Sequence, residues 1–184
     1  AADRSLTRRV SAALDRWGII PDDSAGVPLP LTAAGLFLRH VAELPGQPFG
    51  IDSLLVLLKH PLTATGAGDA ARRSHLLHSR ELELHLRRHG PAFPDGAALR
   101  AWAARPARGT GEASPERAAW AGMIAAALDV TLPLIADPGP LPLADRAARH
   151  RRIAETWAAG AGTADASRLY AEAAGEKARA VLDH

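Results

Sequence analysis

The sequence alternates short segments of helical periodicity with breaks that contain proline and glycine. This alternation constrains the fold more than any other feature. The chain of 184 residues holds 16 glycines and 14 prolines, a length that suits one domain or one domain with an edge of its neighbour. Between the breaks, apolar residues recur every three or four positions, which is the spacing of one helix face. The pattern predicts an all-α protein, an orthogonal bundle of about eight helices.

The predicted helices begin and end at residues with known capping preferences. Leu6, Val10 and Trp17 recur at helical spacing, and Gly18 ends this first helix. Thr32 is a predicted N-cap of the second helix. Further helices are predicted around the leucines at 54–58 and over 71–89, 95–102, 114–128, 142–157 and 165–181, the last with Leu169, Tyr170, Ala173 and Val181 facing inward. A short extended piece and a turn are predicted over 19–26, a loop at 105–114, and a non-helical proline-rich link at 133–142.

The segment 71–89 admits two interpretations. Leu82, Leu84 and Leu86 alternate with charged residues, as on a strand. Glu, Leu and Arg are nevertheless strong helix formers, and the segment is long. A helix with leucines on two sides, packed between neighbours, is therefore favoured over a short strand.

Alanine supplies much of the 47% hydrophobic content, so the core has few large side chains. Each buried alanine removes little apolar area from water. The core is predicted to depend on its leucines and on four tryptophans, Trp17, Trp102, Trp120 and Trp157.

Several classes of site are excluded or disfavoured. The chain has no cysteine, which rules out disulfides and cysteine-held zinc or iron–sulfur groups within it. No nucleophile motif or phosphate-binding glycine loop is present. No hydrophobic run is judged long enough to span a membrane, and no signal peptide is recognised, so a cytoplasmic location is expected. The chain begins with Ala1 rather than methionine, which suggests a segment excised from a longer protein.

The histidines and glutamates favour structural roles over chemistry. His75 and His78 are three residues apart, and His85 and His89 four apart, so each pair could hold a metal on a helix. No carboxylate pattern accompanies them, and hydrogen-bonded or solvated histidines are favoured. His40 and His150 are interpreted as satisfied core histidines. Glu81 and Glu83 diverge on a helix and are expected to pair with arginines.

Two arginine-rich clusters are the functional signal. The candidate DNA contacts are Arg72, Arg73, Arg80, Arg87 and Arg88 in the first cluster and Arg149 and Arg152 in the second. His75, His78 and His89 are counted with the first cluster, and Arg146 and Arg151 with the second. If the first cluster is helical, Arg73, Arg80 and Arg87 are seven residues apart and form a row on one side. Guanidinium groups suit phosphates, although arginines on helices also solvate a face or pair with glutamate. The net charge of only +2 gives no strong overall field for nucleic acid.

Three stretches resemble a known family: residues 5–40 (SLTRRVSAALDRWGIIPDDSAGVPLPLTAAGLFLRH), 54–63 (LLVLLKHPLT) and 80–95 (RELELHLRRHGPAFPD). Residues 172–180 (EAAGEKARA) fit more weakly. The chain is similar to AddB, a subunit of the AddAB helicase–nuclease that processes broken DNA ends in bacteria. The resemblance covers most of the chain, but none of its strings is a chemical motif.

The resemblance implies a position in the helicase-like half of that family. Residues 1–28 would form the edge of a motor domain, and 29–184 a helical accessory module resembling the 2B-type insertion of superfamily 1 helicases. The partners implied are the rest of the parent chain, an AddA-type subunit and DNA, with no membrane. The family's ATP, Mg and iron–sulfur sites would lie outside this chain, which carries no cofactor site and no catalytic residue that can be transferred.

Three functions remain as hypotheses. The first is a module that guides DNA through a repair helicase–nuclease by arginine contacts to phosphate. The second is a structural scaffold that packs on the parent chain and partner subunit without contacting DNA. The third and weakest is a metal-dependent hydrolase built on the histidines. A continuous positive face favours the first, an exposed apolar patch the second, and three or more metal ligands the third.

Overall fold

The computed structural model describes residues 4–19, 21, 26–106, 112–136 and 139–183. These residues form eight α-helices and two short 3₁₀ turns, with no strand among them, which confirms the all-α prediction and excludes a strand within 71–89. The helices are α1 (Arg4–Asp15), α2 (Ala33–Ala42), α3 (Ile51–Lys59), α4 (Gly68–His89), α5 (Gly96–Ala103), α6 (Pro115–Ile135), α7 (Leu143–Ala159) and α8 (Glu172–Asp183). The extended piece and turn predicted over 19–26 and the loop predicted at 105–114 fall partly outside the described residues.

Three of the predicted helix starts are confirmed by their side-chain caps. Thr32, Asp95 and Ser114 each accept a hydrogen bond from the backbone N–H three residues further on. Each bond satisfies one of the N–H groups that the first helical turn leaves without a partner. Pro115 then opens α6 in the position where its missing N–H costs nothing. The starts of α2, α5 and α6 are thereby fixed by local sequence.

The core forms around α6, which packs against α4, α5 and α7, while α2 packs against α3, α7 and α8. Trp102 and Trp120 meet edge to face with their ring centroids 6.0 Å apart. Trp157, on α7, is buried and donates from its Nε1 to Thr131 Oγ1 at 3.0 Å. Burying a large apolar side chain contributes about 2 kcal/mol, so these three tryptophans support the core as predicted.

Trp17 is the exception, and its assignment to the core is wrong. Its side chain is 81% exposed, and Leu6 and Val10 on the same face of α1 are about half exposed. The periodicity correctly predicted an amphipathic helix, but no part of the described chain covers its apolar face.

Two predicted boundaries are also wrong. The link predicted to be non-helical from residue 133 starts later, since residues 133–135 belong to α6. Pro133 lies in the last turn of this helix, which ends at Ile135. The last helix does not start at Asp165, which lies in a 3₁₀ turn; α8 begins at Glu172. Leu169 is buried ahead of that helix and Tyr170 is partly buried, whereas Ala173 and Val181 are exposed.

The apolar character of α6 corrects the expectation that no hydrophobic run of the chain is long enough to span a membrane. Its 21 residues are long and apolar enough to cross a membrane by length and composition. The same composition is typical of the central helix of a bundle, and α6 occupies that position, with Ile124 and Leu128 completely or almost completely buried.

Candidate nucleic-acid interface

Helix α4 carries the first arginine cluster on a face that points away from the core. It has 22 residues and so extends about 33 Å. Leu82 and Leu86 face inward and are buried. Arg73, Arg80 and Arg87 are all exposed, and their spacing of seven places them on one side of the helix, about 10 Å apart along its axis. The predicted row therefore exists.

Arg72 has a different position from the rest of this cluster. Its two terminal nitrogens donate to the carbonyl oxygens of Thr63, at 2.8 Å, and His60, at 2.9 Å. Burial lowers the pKa of Arg72 from its ordinary value. The side chain thus connects α4 to the loop after α3, and its hydrogen-bonding capacity is largely used within the protein.

Arg87 is partly neutralised by a neighbour. Its guanidinium lies 3.0 Å from Glu83, which also bonds Lys59 at 2.7 Å. The bond from Lys59, followed by that from Arg87, lowers the pKa of Glu83. Within the described ranges no ion pair is formed by Arg73, Arg80 or Arg88, which leaves these three guanidinium groups of the cluster to face solvent.

His75 and His78 do not belong to the basic surface with which they were counted. His75 is 1% exposed; its Nε2 donates to Leu58 O at 2.7 Å, and its Nδ1 accepts from Trp120 Nε1 at 3.1 Å. Burial lowers the pKa of His75 to about 4, so it carries no charge at neutral pH. The prediction that it is hydrogen-bonded is confirmed. His78 is also buried.

The metal alternative gains no support from the described part of the chain. No group of three His, Asp or Glu side chains there is placed to hold an ion. His150 is half-buried and bonds the carbonyl of Leu38, and His40 lies 3.6 Å from Glu43. His150 is thus satisfied by a protein group, as predicted, whereas His40 has only this longer contact; neither histidine is fully buried.

The second cluster lies on α7, which packs on α2 and α6 rather than beside the exposed face of α4. Arg152 is exposed, and Arg149 is half-buried beside an apolar pocket lined by Leu134 and Ile153. Arg151 is paired with Asp183, and Arg146 donates to the carbonyl of Gly139. The cluster is therefore split between solvent and internal partners.

Exposed leucines lie between the arginines of α4. Leu76, Leu77 and Leu84 are 47%, 58% and 50% exposed. By helical angle, Leu77 and Leu84 fall on the same side as Arg73 and Arg80. This face of α4 is therefore mixed, basic and apolar, a composition found where proteins contact partners.

A polar cleft of about 590 Å³ adjoins this face, between the C-terminal half of α4, the end of α5 and the start of α6. Its lining includes three arginines (Arg88, Arg105 and Arg117), three histidines (His78, His85 and His89), Glu81 and Trp102. Burial lowers the pKa of His85, and the nearby Arg105 and His89 lower it further. No sequence pattern indicated Arg105 or Arg117, because they meet α4 only through the tertiary fold.

Comparison of the chain with protein-family models, with curated proteins and with solved structures found no match.

Proposed function

We propose that this chain is a helical module that contacts DNA phosphates along the exposed face of α4. The supporting observation is that Arg73 and Arg80, in the row along α4, and Arg88 beside it are exposed guanidinium groups without an ion pair in the described chain. Guanidinium groups bind phosphate through charge-assisted hydrogen bonds, and most protein–DNA contacts go to the backbone. The low net charge fits contact along one edge rather than a wrapped duplex.

The parent in this proposal is a cytoplasmic AddB-type subunit of a double-strand-break repair helicase–nuclease. Residues 1–28 then belong to the edge of its motor domain, and 29–184 to a module that guides DNA. The ATP, Mg and iron–sulfur groups of that family would be held by other parts of the parent. Its partner would be an AddA-type subunit.

The test is a titration of labelled forked and duplex DNA with the chain, followed by fluorescence anisotropy. The variant Arg73→Glu/Arg80→Glu should abolish binding, because each reversal removes a phosphate contact and adds repulsion. The matched control is Arg8→Glu/Arg9→Glu, which makes the same change of net charge on two exposed residues of α1. Equal loss in both variants would show that only overall charge matters, and would contradict the proposal.

A second function, a docking scaffold without DNA contact, is favoured by the exposed leucines of α4. Leu77 and Leu84 present apolar area to solvent next to basic residues, as in an interface whose partner is missing. In this alternative the AddA-type subunit or the rest of the parent covers them. The variant Leu77→Glu/Leu84→Glu should then abolish association with the partner subunit in sedimentation, and leave helicity unchanged. Unchanged association would exclude α4 as the docking surface.

A further inference from the structure

The cleft beside α4 contains an excess of positive charge that the fold of the chain does not use. Against its three arginines the lining holds one carboxylate, that of Glu81. Glu81 lies 3.4 Å from His78 Nδ1 and so is partly engaged by a neighbour. Arg88 and Arg105 are exposed at the rim. A concave, positively charged surface attracts anions more strongly than a flat one, because the protein walls focus the field.

The buried side chains of the cleft include two nitrogen atoms without a partner. Arg117 is buried, lies 5.3 Å over the ring of Trp102, and donates from one terminal nitrogen to the carbonyls of Ala103 and Arg105. The Nε–H of Arg117 has no acceptor among the described residues. His78 Nε2 has no partner among them either. A buried donor without an acceptor destabilises the fold, so an acceptor group placed beside the Nε–H of Arg117 would be stabilising.

The second half of the cleft is formed by the start of a long helix. Ser114, the N-cap of α6, lies in the lining, and the 21-residue helix directs its positive end toward it. The C-terminal half of α4 lies opposite. Arg88, in its last turn, offsets the negative end of α4. The arginines of the lining, the unpartnered Nε–H of Arg117 and the direction of α6 therefore all favour an anion.

We infer that this cleft binds a phosphate group, with Arg88 and Arg105 as the first contacts and the unpartnered Nε–H of Arg117 beneath them. The volume of about 590 Å³ accommodates a phosphate together with an attached sugar and base. The Nε–H of Arg117 is shielded from solvent, so the phosphate contacts Arg88 and Arg105 first. The site shares Arg88 with the proposed DNA-contacting face of α4, but Arg73 and Arg80 do not line it.

The test uses the whole chain and follows the imidazole NMR signals of His85 and His78 during addition of inorganic phosphate. Saturable shifts are expected. Arg88→Ala and Arg105→Ala should each weaken binding about tenfold, the loss of one charge-assisted bond. Arg105→Ala keeps the backbone carbonyl to which Arg117 donates, and Arg88 is exposed, so both variants should fold. Arg73→Ala, an equal charge change outside the cleft, should leave the affinity unchanged.

Shifts that do not saturate, or that persist equally in the Arg88 and Arg105 variants, would overturn the inference. Parallel titrations with a 5′-mononucleotide and with 5′-phosphorylated and unphosphorylated single strands identify the source of the phosphate. Saturation only by the small molecules indicates a free ligand, whereas saturation by the phosphorylated strand indicates a nucleic-acid end. Loss of DNA binding on reversing Arg73 and Arg80 is measured separately, so either proposal can fail without the other.

Discussion

The buried imidazole of His75 predicts a specific loss of stability in acid. Burial holds its pKa at about 4, against an ordinary value of 6.5. Since Nδ1 accepts from Trp120 and Nε2 donates to Leu58, the folded protein has no acceptor for a second ring proton. The unfolded chain therefore binds a proton at His75 as the pH falls below about 6.5, where the folded chain does not. The stability from this group is complete above that pH and is lost toward pH 4.

The size of the effect follows from the two pKa values. One pKa unit is worth about 1.4 kcal/mol, so His75 alone should cost about 2 kcal/mol near pH 5 and about 3 kcal/mol near pH 4. His60 contributes a loss of the same sign, because burial, then the charges of His40 and Arg72, lowers its pKa to about 4. Losses of this size are large against the roughly 5–15 kcal/mol that stabilise a typical domain.

The assay is urea unfolding followed by tryptophan fluorescence, at several pH values between about 7 and 5. In His75→Gln, an amide replaces the imidazole and no proton is taken up, so the fall in unfolding free energy near pH 5 should shrink by about 2 kcal/mol. Thr131→Val is the matched control, since it removes the partner of Trp157 Nε1 and contains no titratable group. It should cost about 1–2 kcal/mol equally at every pH. An unchanged pH dependence in His75→Gln would refute the reasoning.

Three further substitutions test the fold in thermal or urea unfolding. Gly162→Ala should destabilise by about 1–3 kcal/mol, because a Cβ there would overlap the backbone of Gly66; a neutral result would contradict the close approach of these loops. Asp95→Ala should cost about 1 kcal/mol through loss of the bond from Ala98 N–H, and Asp95→Asn should restore most of it. Trp17→Ala should change stability by less than about 0.5 kcal/mol, since the side chain is mostly exposed.

The helices could be predicted because their signals are local. Ser114 and Pro115 start α6, and the leucines of α3 end before Pro61, so composition and capping alone locate these elements. The errors come from information that is not local. Trp17 and the core tryptophans look alike in sequence, and only the packing of other helices shows which remain uncovered. Asp165 has the composition of a helix cap but lies in a 3₁₀ turn.

The candidate interface was only partly predictable for the same reason. The spacing of Arg73, Arg80 and Arg87 correctly placed them on one exposed side of α4. Sequence could not show that Arg72 bonds the carbonyls of the preceding loop, because those carbonyls approach only after α3 and α4 pack. Arg117 joins the cleft through contacts between α5 and α6, and no spacing along the chain encodes that position.

The most direct test of the DNA-contact proposal is the salt dependence of duplex binding. Each phosphate contact contributes about −0.9 to the slope of log K against log salt, so Arg73, Arg80 and Arg88 predict a slope of about −3. Arg73→Ala/Arg80→Ala should reduce its magnitude by about 2, while Arg8→Ala/Arg9→Ala should leave it unchanged. A slope near zero, or one that the α4 substitutions do not alter, would contradict phosphate contact by this helix.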